Sequence, residues 1–175
     1  MRYQQPDIVS SFRKNDLGKT LYDTVLMLKP KKIIEFGALH GYSSICMGMA
    51  LHELGEGKIH SYDLWTNING WGCGSIKECE KNAIDYGVSQ YIRYATKSIY
   101  DWEVEPFDML MVDINNDGFQ LSQLRKKLPK QAYVIFEGGS KERDEVWWMG
   151  QKTPIVGSIE YDIIDPRFPS LSMML

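Results

Sequence analysis

Short apolar runs rich in β-branched residues alternate along this chain with stretches whose apolar residues recur every three or four positions. Runs of the first kind are typical of buried strands, and the second spacing indicates helices with one buried face. The first helical stripe runs from Leu17 to Leu28 and must end before Pro30. We expect Asn15 or Asp16 to cap it. The apolar runs predict strands at 32–36, 58–62, 91–95, 107–112, 132–136, 160–164 and 171–175, and the later helices cover about 42–54, 75–86, 118–128 and 142–149.

The order of these elements predicts the fold class. Strands that alternate with helices favour an α/β fold, in which right-handed crossovers join parallel strands and helices cover both faces of the sheet. The segment DPRFP at 165–169 lies between the last two predicted strands and is typical of a reversal. The chain is therefore expected to close on a hairpin with an antiparallel strand. Ligands bind such sheets at the carboxyl ends of the strands, so residues that follow strands are the first candidates for a site.

Composition narrows the function classes. The 175 residues are typical of one domain, which we expect to span 1–175. Lys and Arg number 20 against 23 Asp and Glu, a formal charge of −3 that disfavours a nucleic-acid partner. No apolar run approaches the roughly 18 residues of a membrane span, and the first residues lack a signal-peptide core. Cys46, Cys73 and Cys79 are odd in number and form no CxxC pair, which disfavours disulfides and structural zinc. We therefore expect a cytoplasmic protein with no membrane partner.

The strongest chemical signal is the segment EFGALHGYSS at 35–44, between the first strand and the next helix. Glycines at 37 and 41 let the backbone turn sharply and approach a ligand, although such turns are about equally often only structural. Asp63 ends the second strand, where a carboxylate can accept hydrogen bonds from two ribose hydroxyls. A dinucleotide site requires G-x-G-x-x-G, and Leu39 at the second glycine position disfavours nicotinamide cofactors.

This segment resembles the first motif, E-x-G-x-x-x-G-Y-S, of the class I S-adenosylmethionine-dependent methyltransferases, and among them the small-molecule O-methyltransferases. Every fixed position matches, and the resemblance spans essentially the whole chain. It implies a doubly wound, Rossmann-like methyltransferase fold whose seven-stranded, mostly parallel sheet has the order 3-2-1-4-5-7-6. It also implies S-adenosyl-L-methionine as cofactor. The cofactor-binding residues that it implies are Glu35, Gly37, Ala38, Gly41, Ser43, Asp63, Leu64, Ser98 and Asp113.

The segment FDMLMVD at 107–113 resembles the fourth-strand pattern F-D-x-x-x-x-D of the same family. In metal-dependent members the last aspartate, here Asp113, binds a divalent cation together with an Asp-Asn pair after the fifth strand. This chain has Glu137 and Gly138 there, so the resemblance implies an incomplete ligand set, and we expect no tight metal. Mg²⁺ completed by substrate oxygens and water stays an open alternative. Asp113 and Glu137 are the predicted catalytic residues, as base or orienting group, and Asp117 is a further candidate base.

The leading hypothesis is methyl transfer from S-adenosylmethionine to an oxygen of a small molecule, such as a sugar or polyol. The alternative is an S-adenosylmethionine-binding module with little activity, acting as a sensor or partner subunit. The expected partner is the small-molecule methyl acceptor, and a homo-oligomer is left open. A lid over the site has three candidate sources, namely the amino-terminal segment, the loop at 67–74 and a second subunit.

Glycines, a helix start and two cations occur together at 137–144, a combination that could bind an anion. A solvated helix start with charges four residues apart accounts for the same residues. We therefore favour the solvated helix start over an anion site at this segment.

Overall fold

The computed structural model describes residues 2–66, 72–114, 116–147 and 153–175. Within these ranges the strands are β1 (Lys32–Phe36), β2 (Lys58–Asp63), β3 (Ile92–Thr96), β4 (Met109–Val112), β5 (Tyr133–Glu137), β6 (Tyr161–Asp165) and β7 (Leu171–Met174). They form one sheet in the order β3-β2-β1-β4-β5-β7-β6. The first five strands pair in parallel, and β7 pairs antiparallel with both β5 and β6. The predicted sheet, its order and its closing hairpin are confirmed.

The helices are α1 (Leu17–Leu28), α2 (Tyr42–Leu54), α3 (Ile76–Asp85), α4 (Gly118–Lys127) and α5 (Lys141–Trp147). The predicted end of the last helix, at 149, lies outside the described residues. Among the residues described, no helix combines the length and the apolar character that crossing a membrane requires.

Asp16 occupies the N-cap position of α1, as predicted, but it does not cap the helix through its side chain. A 3-10 helix, Ser11–Asn15, precedes α1, and Asp16 joins the two in a left-handed conformation with φ of 55°. The Asp16 side chain makes no capping hydrogen bond and instead accepts one from the hydroxyl of Tyr3. Asn15 donates from Nδ2 to the carbonyl of Phe168. Both side chains therefore hold distant segments together, which a local capping pattern cannot reveal.

Two apolar clusters cover the faces of the sheet. Ile33 of β1 belongs to the cluster formed with α1 and α2, whereas Ile34 and Phe36 belong to the cluster on the opposite face. Successive side chains of a strand point to opposite faces, so Glu35 points with Ile33 toward α2. This alternation decides where the acidic residue of the glycine-rich segment lies.

The start of β4 is tied to the start of β1. Asp108 accepts hydrogen bonds at Oδ2 from the backbone N–H groups of Lys31 and Lys32, each at 2.8 Å. The strand therefore begins at Met109, two residues later than predicted, because the two residues before it form the connection to β1. The register that follows places Phe36 beside Val112 at the carboxyl ends of both strands.

Candidate active site

A cavity of about 520 Å³ opens at the carboxyl ends of the central strands, and we call it the central cavity. This is the ligand-binding edge of an open α/β sheet, and the volume is in the range of about 300–1,000 Å³ typical of small-molecule sites. The floor consists of residues that end or follow strands, at 36–40, 62–64, 97–100, 113–114 and 137. The roof consists of Val9, Ser10, Ser11, Lys14, Phe168 and Pro169.

Asp63 holds the turn that follows β1. Its Oδ2 accepts the N–H of Leu39 at 2.8 Å, and its Oδ1 accepts the N–H of Trp65 at 2.8 Å. Leu39 has a φ of 49°, an uncommon conformation for a residue with a side chain, and the bond to Asp63 helps to maintain it. Each carboxylate oxygen has a second lone pair. Asp63 can therefore orient the turn and still accept hydrogen bonds from a ligand in the cavity.

Gly37 brings β1 and β4 into close contact. Its φ is 102°, and a Cβ atom at this position would lie 1.8 Å from the carbonyl oxygen of Asp113. The backbone of Gly37 lines the cavity, but the direction a side chain would take leads to Asp113. The glycine is thus required first by the packing of two strand ends, and this packing fixes Asp113 at the cavity floor.

Glu35 lies in a polar cluster behind the turn and is not part of the cavity lining. It is fully buried and accepts hydrogen bonds from the hydroxyls of Ser43 and Ser61, each at 2.5 Å, and from that of Ser44. Burial raises the pKa of Glu35, while the three hydroxyls act in the opposite direction. That Glu35 binds the cofactor stays a prediction; in the structure the alternation along β1 turns its side chain toward α2 and away from the cavity.

Gly41 is the second implied cofactor residue outside the lining. It is the N-cap of α2 with a φ of 87°, and a Cβ atom there would lie 3.0 Å from the hydroxyl of Tyr94. Its N–H donates to the carbonyl of Ala38 at 2.7 Å and closes the turn. Its role in the structure is therefore to shape the turn. The remaining implied residues all line the cavity, namely Gly37, Ala38, Ser43, Asp63, Leu64, Ser98 and Asp113.

Asp113 and Glu137 lie at the ends of the neighbouring strands β4 and β5. Burial and then the charge of Glu137 raise the pKa of Asp113 well above its ordinary value, while Arg143 acts to lower it. A carboxylate with a raised pKa binds a proton more strongly than an exposed aspartate does, which suits general-base chemistry. Among the predicted acids, Asp113 has the environment that suits a base.

Glu137 is bound by Arg143 of α5. Arg143 Nε lies 3.0 Å from Oε1 and Nη2 lies 2.5 Å from Oε2, a two-pronged ion pair. Both side chains are almost completely buried. Arg143 also donates from Nη1 to the carbonyl of Asn116 at 3.4 Å. This pairing argues against Glu137 as the base, because its carboxylate oxygens already accept strong hydrogen bonds.

The roof joins the amino-terminal segment to the turn between β6 and β7. The hydrogen bond from Asn15 to Phe168 links the 3-10 helix to the turn. Asp165 accepts a hydrogen bond from the hydroxyl of Thr20 at 2.7 Å and pairs with Arg167 at 2.6 Å, which ties the hairpin to α1. Two of the segments around the cavity thus come from opposite ends of the sequence. The loop considered at 67–74 lies mostly outside the described residues.

The loop after β3 supplies a mixed polar and apolar wall. Ser98 accepts the N–H of Tyr100 at 3.2 Å and caps a short 3-10 helix, Ile99–Asp101. Lys97 places its Nζ 5.1 Å from the centre of the Tyr62 ring. Leu64 lines the cavity and is half exposed. This wall offers ring faces and backbone groups of the kind that can hold a flat heterocycle.

The residues present do not fit the divalent-cation site of metal-dependent O-methyltransferases. Within the described ranges, no group of three His, Cys, Asp or Glu side chains is placed to hold a metal ion. Gly138 has no side chain, and Glu137 is engaged by Arg143. Asp113 therefore lacks the partner carboxylates with which an oxygen-rich site is built.

Comparison with known proteins shows the family. A family described as a methyltransferase domain matches residues 34–137, which is more than half of the chain. The chain belongs to this family of methyltransferase domains. The matched segment begins in β1 and ends in β5, and it contains the floor of the central cavity. Curated protein sequences contain no match to this chain.

Solved structures share the fold over nearly the whole chain. The O-methyltransferase TomG from Streptomyces achromogenes, in complex with S-adenosylmethionine, is 15% identical with a TM-score of 0.61, covering 94% of this chain and 86% of that one. A methyltransferase from Podospora anserina bound to S-adenosylhomocysteine is 17% identical with a TM-score of 0.62, covering 95% and 79%. An O-methyltransferase from Bacillus cereus with S-adenosylhomocysteine is 14% identical with a TM-score of 0.63, covering 98% and 84%. At these identities the likeness concerns the fold.

Sequence reasoning missed Arg143 as a residue of the central cavity. We interpreted the charges at 137–144 as a solvated helix start, whereas Arg143 is 3% exposed and lines the central cavity. The signal available in the sequence was an arginine six positions after the glutamate that ends β5. That spacing becomes informative only when the glycines at 138 and 139, both at positive φ, turn the chain so that α5 faces the strand end.

Proposed function

We propose that this chain is an S-adenosylmethionine-dependent O-methyltransferase of a small molecule, with a sugar or polyol as the acceptor class. The observation that carries the proposal is the convergence of Asp63, the turn after β1 and Asp113 on one cavity at the carboxyl edge of a methyltransferase sheet. The relatives solved with S-adenosylmethionine or its demethylated product support the choice of cofactor.

The residues of the cavity floor fit this cofactor. Asp63 would accept hydrogen bonds from the ribose hydroxyls, since it ends β2 and keeps lone pairs on both oxygens. The backbone of Gly37 and Ala38 would face the methionine part, and the wall at 97–100 would face the adenine. Glu35 would act through the turn, by holding the serines at the start of α2, and not by touching the cofactor.

S-adenosylmethionine carries a methyl group on a positively charged sulfur and supplies it to a nucleophile. The part of this reaction left to the protein is to position the acceptor and to take its proton. Asp113 lies at the cavity floor with a raised pKa and is the residue that we assign to proton transfer. Ser10, Ser11 and Lys14 of the roof would offer side-chain hydrogen bonds to a hydroxyl-rich acceptor.

Cofactor binding is tested by calorimetry with S-adenosylhomocysteine. We expect Asp63→Asn to weaken binding by about 1.5–3 kcal/mol, the range for hydrogen bonds to a charged group. The matched control is Asp23→Asn, which removes the same charge from the exposed face of α1, where Asp23 pairs only with Lys19 among the described residues. Unchanged affinity in a folded Asp63→Asn protein would remove the basis for the cofactor assignment.

Turnover separates the enzyme from a binding module. Transfer of a labelled methyl group from S-adenosylmethionine would be measured over a panel of polyols, sugars and phenols. We expect at least one hydroxyl compound to be methylated and the transfer to fall in Asp113→Asn. Tight cofactor binding without transfer to any hydroxyl compound would instead indicate a sensor or partner subunit. The observation that favours this second candidate is that Arg143 engages Glu137. Of the two predicted catalytic acids, only Asp113 then remains to act as a base.

A further inference from the structure

Two carboxylates at the carboxyl ends of neighbouring parallel strands form an arrangement that attracts a cation. Val112 of β4 pairs with Phe136 of β5, and the residue that follows each of them along the chain, Asp113 and Glu137 respectively, lines the central cavity. Like charges that face one largely buried site are unfavourable unless a positive group compensates them. In oxygen-rich protein sites that positive group is often Mg²⁺ or another divalent ion.

In this chain the positive group is the side chain of Arg143 in α5. Arg143 reaches Glu137 with two nitrogen atoms, at 3.0 and 2.5 Å, and is itself 3% exposed. The backbone of Arg143 is also fixed, because its N–H donates a hydrogen bond to the hydroxyl of Ser140 at 3.2 Å. We propose that Arg143 is a built-in counter-ion that closes this carboxylate pair to divalent cations. Arg143 is then the side chain that keeps these two carboxylates from sharing a metal ion.

The surroundings of Arg143 support a fixed position. It donates to the carbonyl of Asn116, a fully buried residue whose Nδ2 contacts the carbonyls of Val112 and Glu137, each at 2.9 Å. Asn116 thereby joins the ends of β4 and β5 on the side of Arg143. A Cβ atom at Gly138 would lie at ordinary contact distance, 3.5 Å, from Arg143 Nε but only 2.6 Å from Ile155 Cδ1, so the glycine is required by Ile155. The guanidinium is therefore held by Glu137 and by Asn116, which itself binds the ends of both strands.

The proposal predicts that removing Arg143 opens a latent metal site. Mn²⁺ would be titrated into the full chain, and its free ion would be quantified by electron paramagnetic resonance. We expect the natural chain to leave Mn²⁺ free, and Arg143→Gln to bind one ion at least about tenfold more tightly, because affinity in oxygen sites follows the number of free charged ligands. Adding Asp113→Asn to that variant should abolish the gain. The control is Arg93→Gln, which removes an exposed arginine of β3 outside the cavity lining.

Circular dichroism would establish that each variant is folded. Should Arg143→Gln not fold, Arg143→Lys takes its place, since lysine keeps the charge but cannot engage both oxygens of Glu137 in a fork. A folded Arg143 variant that binds Mn²⁺ no better than the natural chain overturns the proposal. So does stoichiometric Mn²⁺ binding by the natural chain that is lost in Asp113→Asn. Neither measurement involves methyl transfer, so failure here is distinct from failure of the proposed function.

Discussion

Gly37 offers a direct test of how the cavity floor is held together. Replacing it by alanine introduces a Cβ atom 1.8 Å from the Asp113 carbonyl oxygen, at a φ of 102°. The positive φ costs about 1–2 kcal/mol for a residue with a side chain, and overpacking adds about 1–3 kcal/mol. Relieving this steric clash requires the ends of β1 and β4 to separate. Separation would stretch the hydrogen bond from the N–H of Asp113 to the Phe36 carbonyl, which is 2.8 Å long. We therefore expect Gly37→Ala to lose about 2–5 kcal/mol of unfolding free energy.

Gly55 provides the matched comparison. It lies after α2 with a φ of 79°, and nothing lies within 4 Å of where its Cβ would be. Gly55→Ala therefore isolates the backbone term, about 1–2 kcal/mol. Urea denaturation of both variants measures the difference as a shift of the midpoint at constant slope. If the two substitutions lower stability equally, within about 0.5 kcal/mol, the contact between Gly37 and Asp113 does not carry the strain that we assign to it.

Three further outcomes are expected. Glu35→Gln, which mimics the protonated acid, should gain stability relative to the natural chain as pH rises above about 4.3, the ordinary pKa of glutamate. The reason is that a group with a raised folded-state pKa contributes stability at low pH and loses it as pH rises. Equal pH profiles in urea would contradict this. Once an acceptor is found, methyl transfer should persist in EDTA, and it should fall by about 100-fold or more in Asp113→Asn. Complete loss of transfer in EDTA with full rescue by Mg²⁺ would instead indicate a metal-dependent mechanism. The Arg167 guanidinium lowers the pKa of Asp165 to about 2. The stability that the ionised Asp165 contributes is therefore fully present above about pH 3.9 and is lost as pH falls through about 2. Arg167→Gln should therefore unfold at a higher pH in an acid titration followed by circular dichroism, and an unchanged acid midpoint would count against this ion pair.

The sheet was predictable because its strands carry strong and local signals. The β-branched runs at 32–36 and 58–62 are buried along most of their length, and a glycine or a turn bounds each of them. The strand order, in contrast, followed from the resemblance of the segment at 35–44 to a known motif. Periodicity by itself would have left the order of parallel strands open.

The parts of the site that escaped prediction depend on contacts between distant residues. Asp16 and Asn15 have the chemistry of helix caps, but Tyr3 and Phe168 engage them instead. Glu35 carries the first position of the motif, yet its direction depends on which face of β1 it occupies. Arg143 needs the path of the chain after β5 to reach Glu137. In each case the residue type was informative and its partner was set by tertiary structure.

The roof of the cavity has a consequence for the order in which the site can form. Asn15 and Phe168, which close it, are 153 positions apart in sequence. Contacts of such separation form only after a large loop has closed, and they are slow to gain compared with local structure. A folding intermediate that has the floor but not the hairpin therefore lacks an enclosed pocket. Ligand binding would then stabilise the finished chain and not such an intermediate.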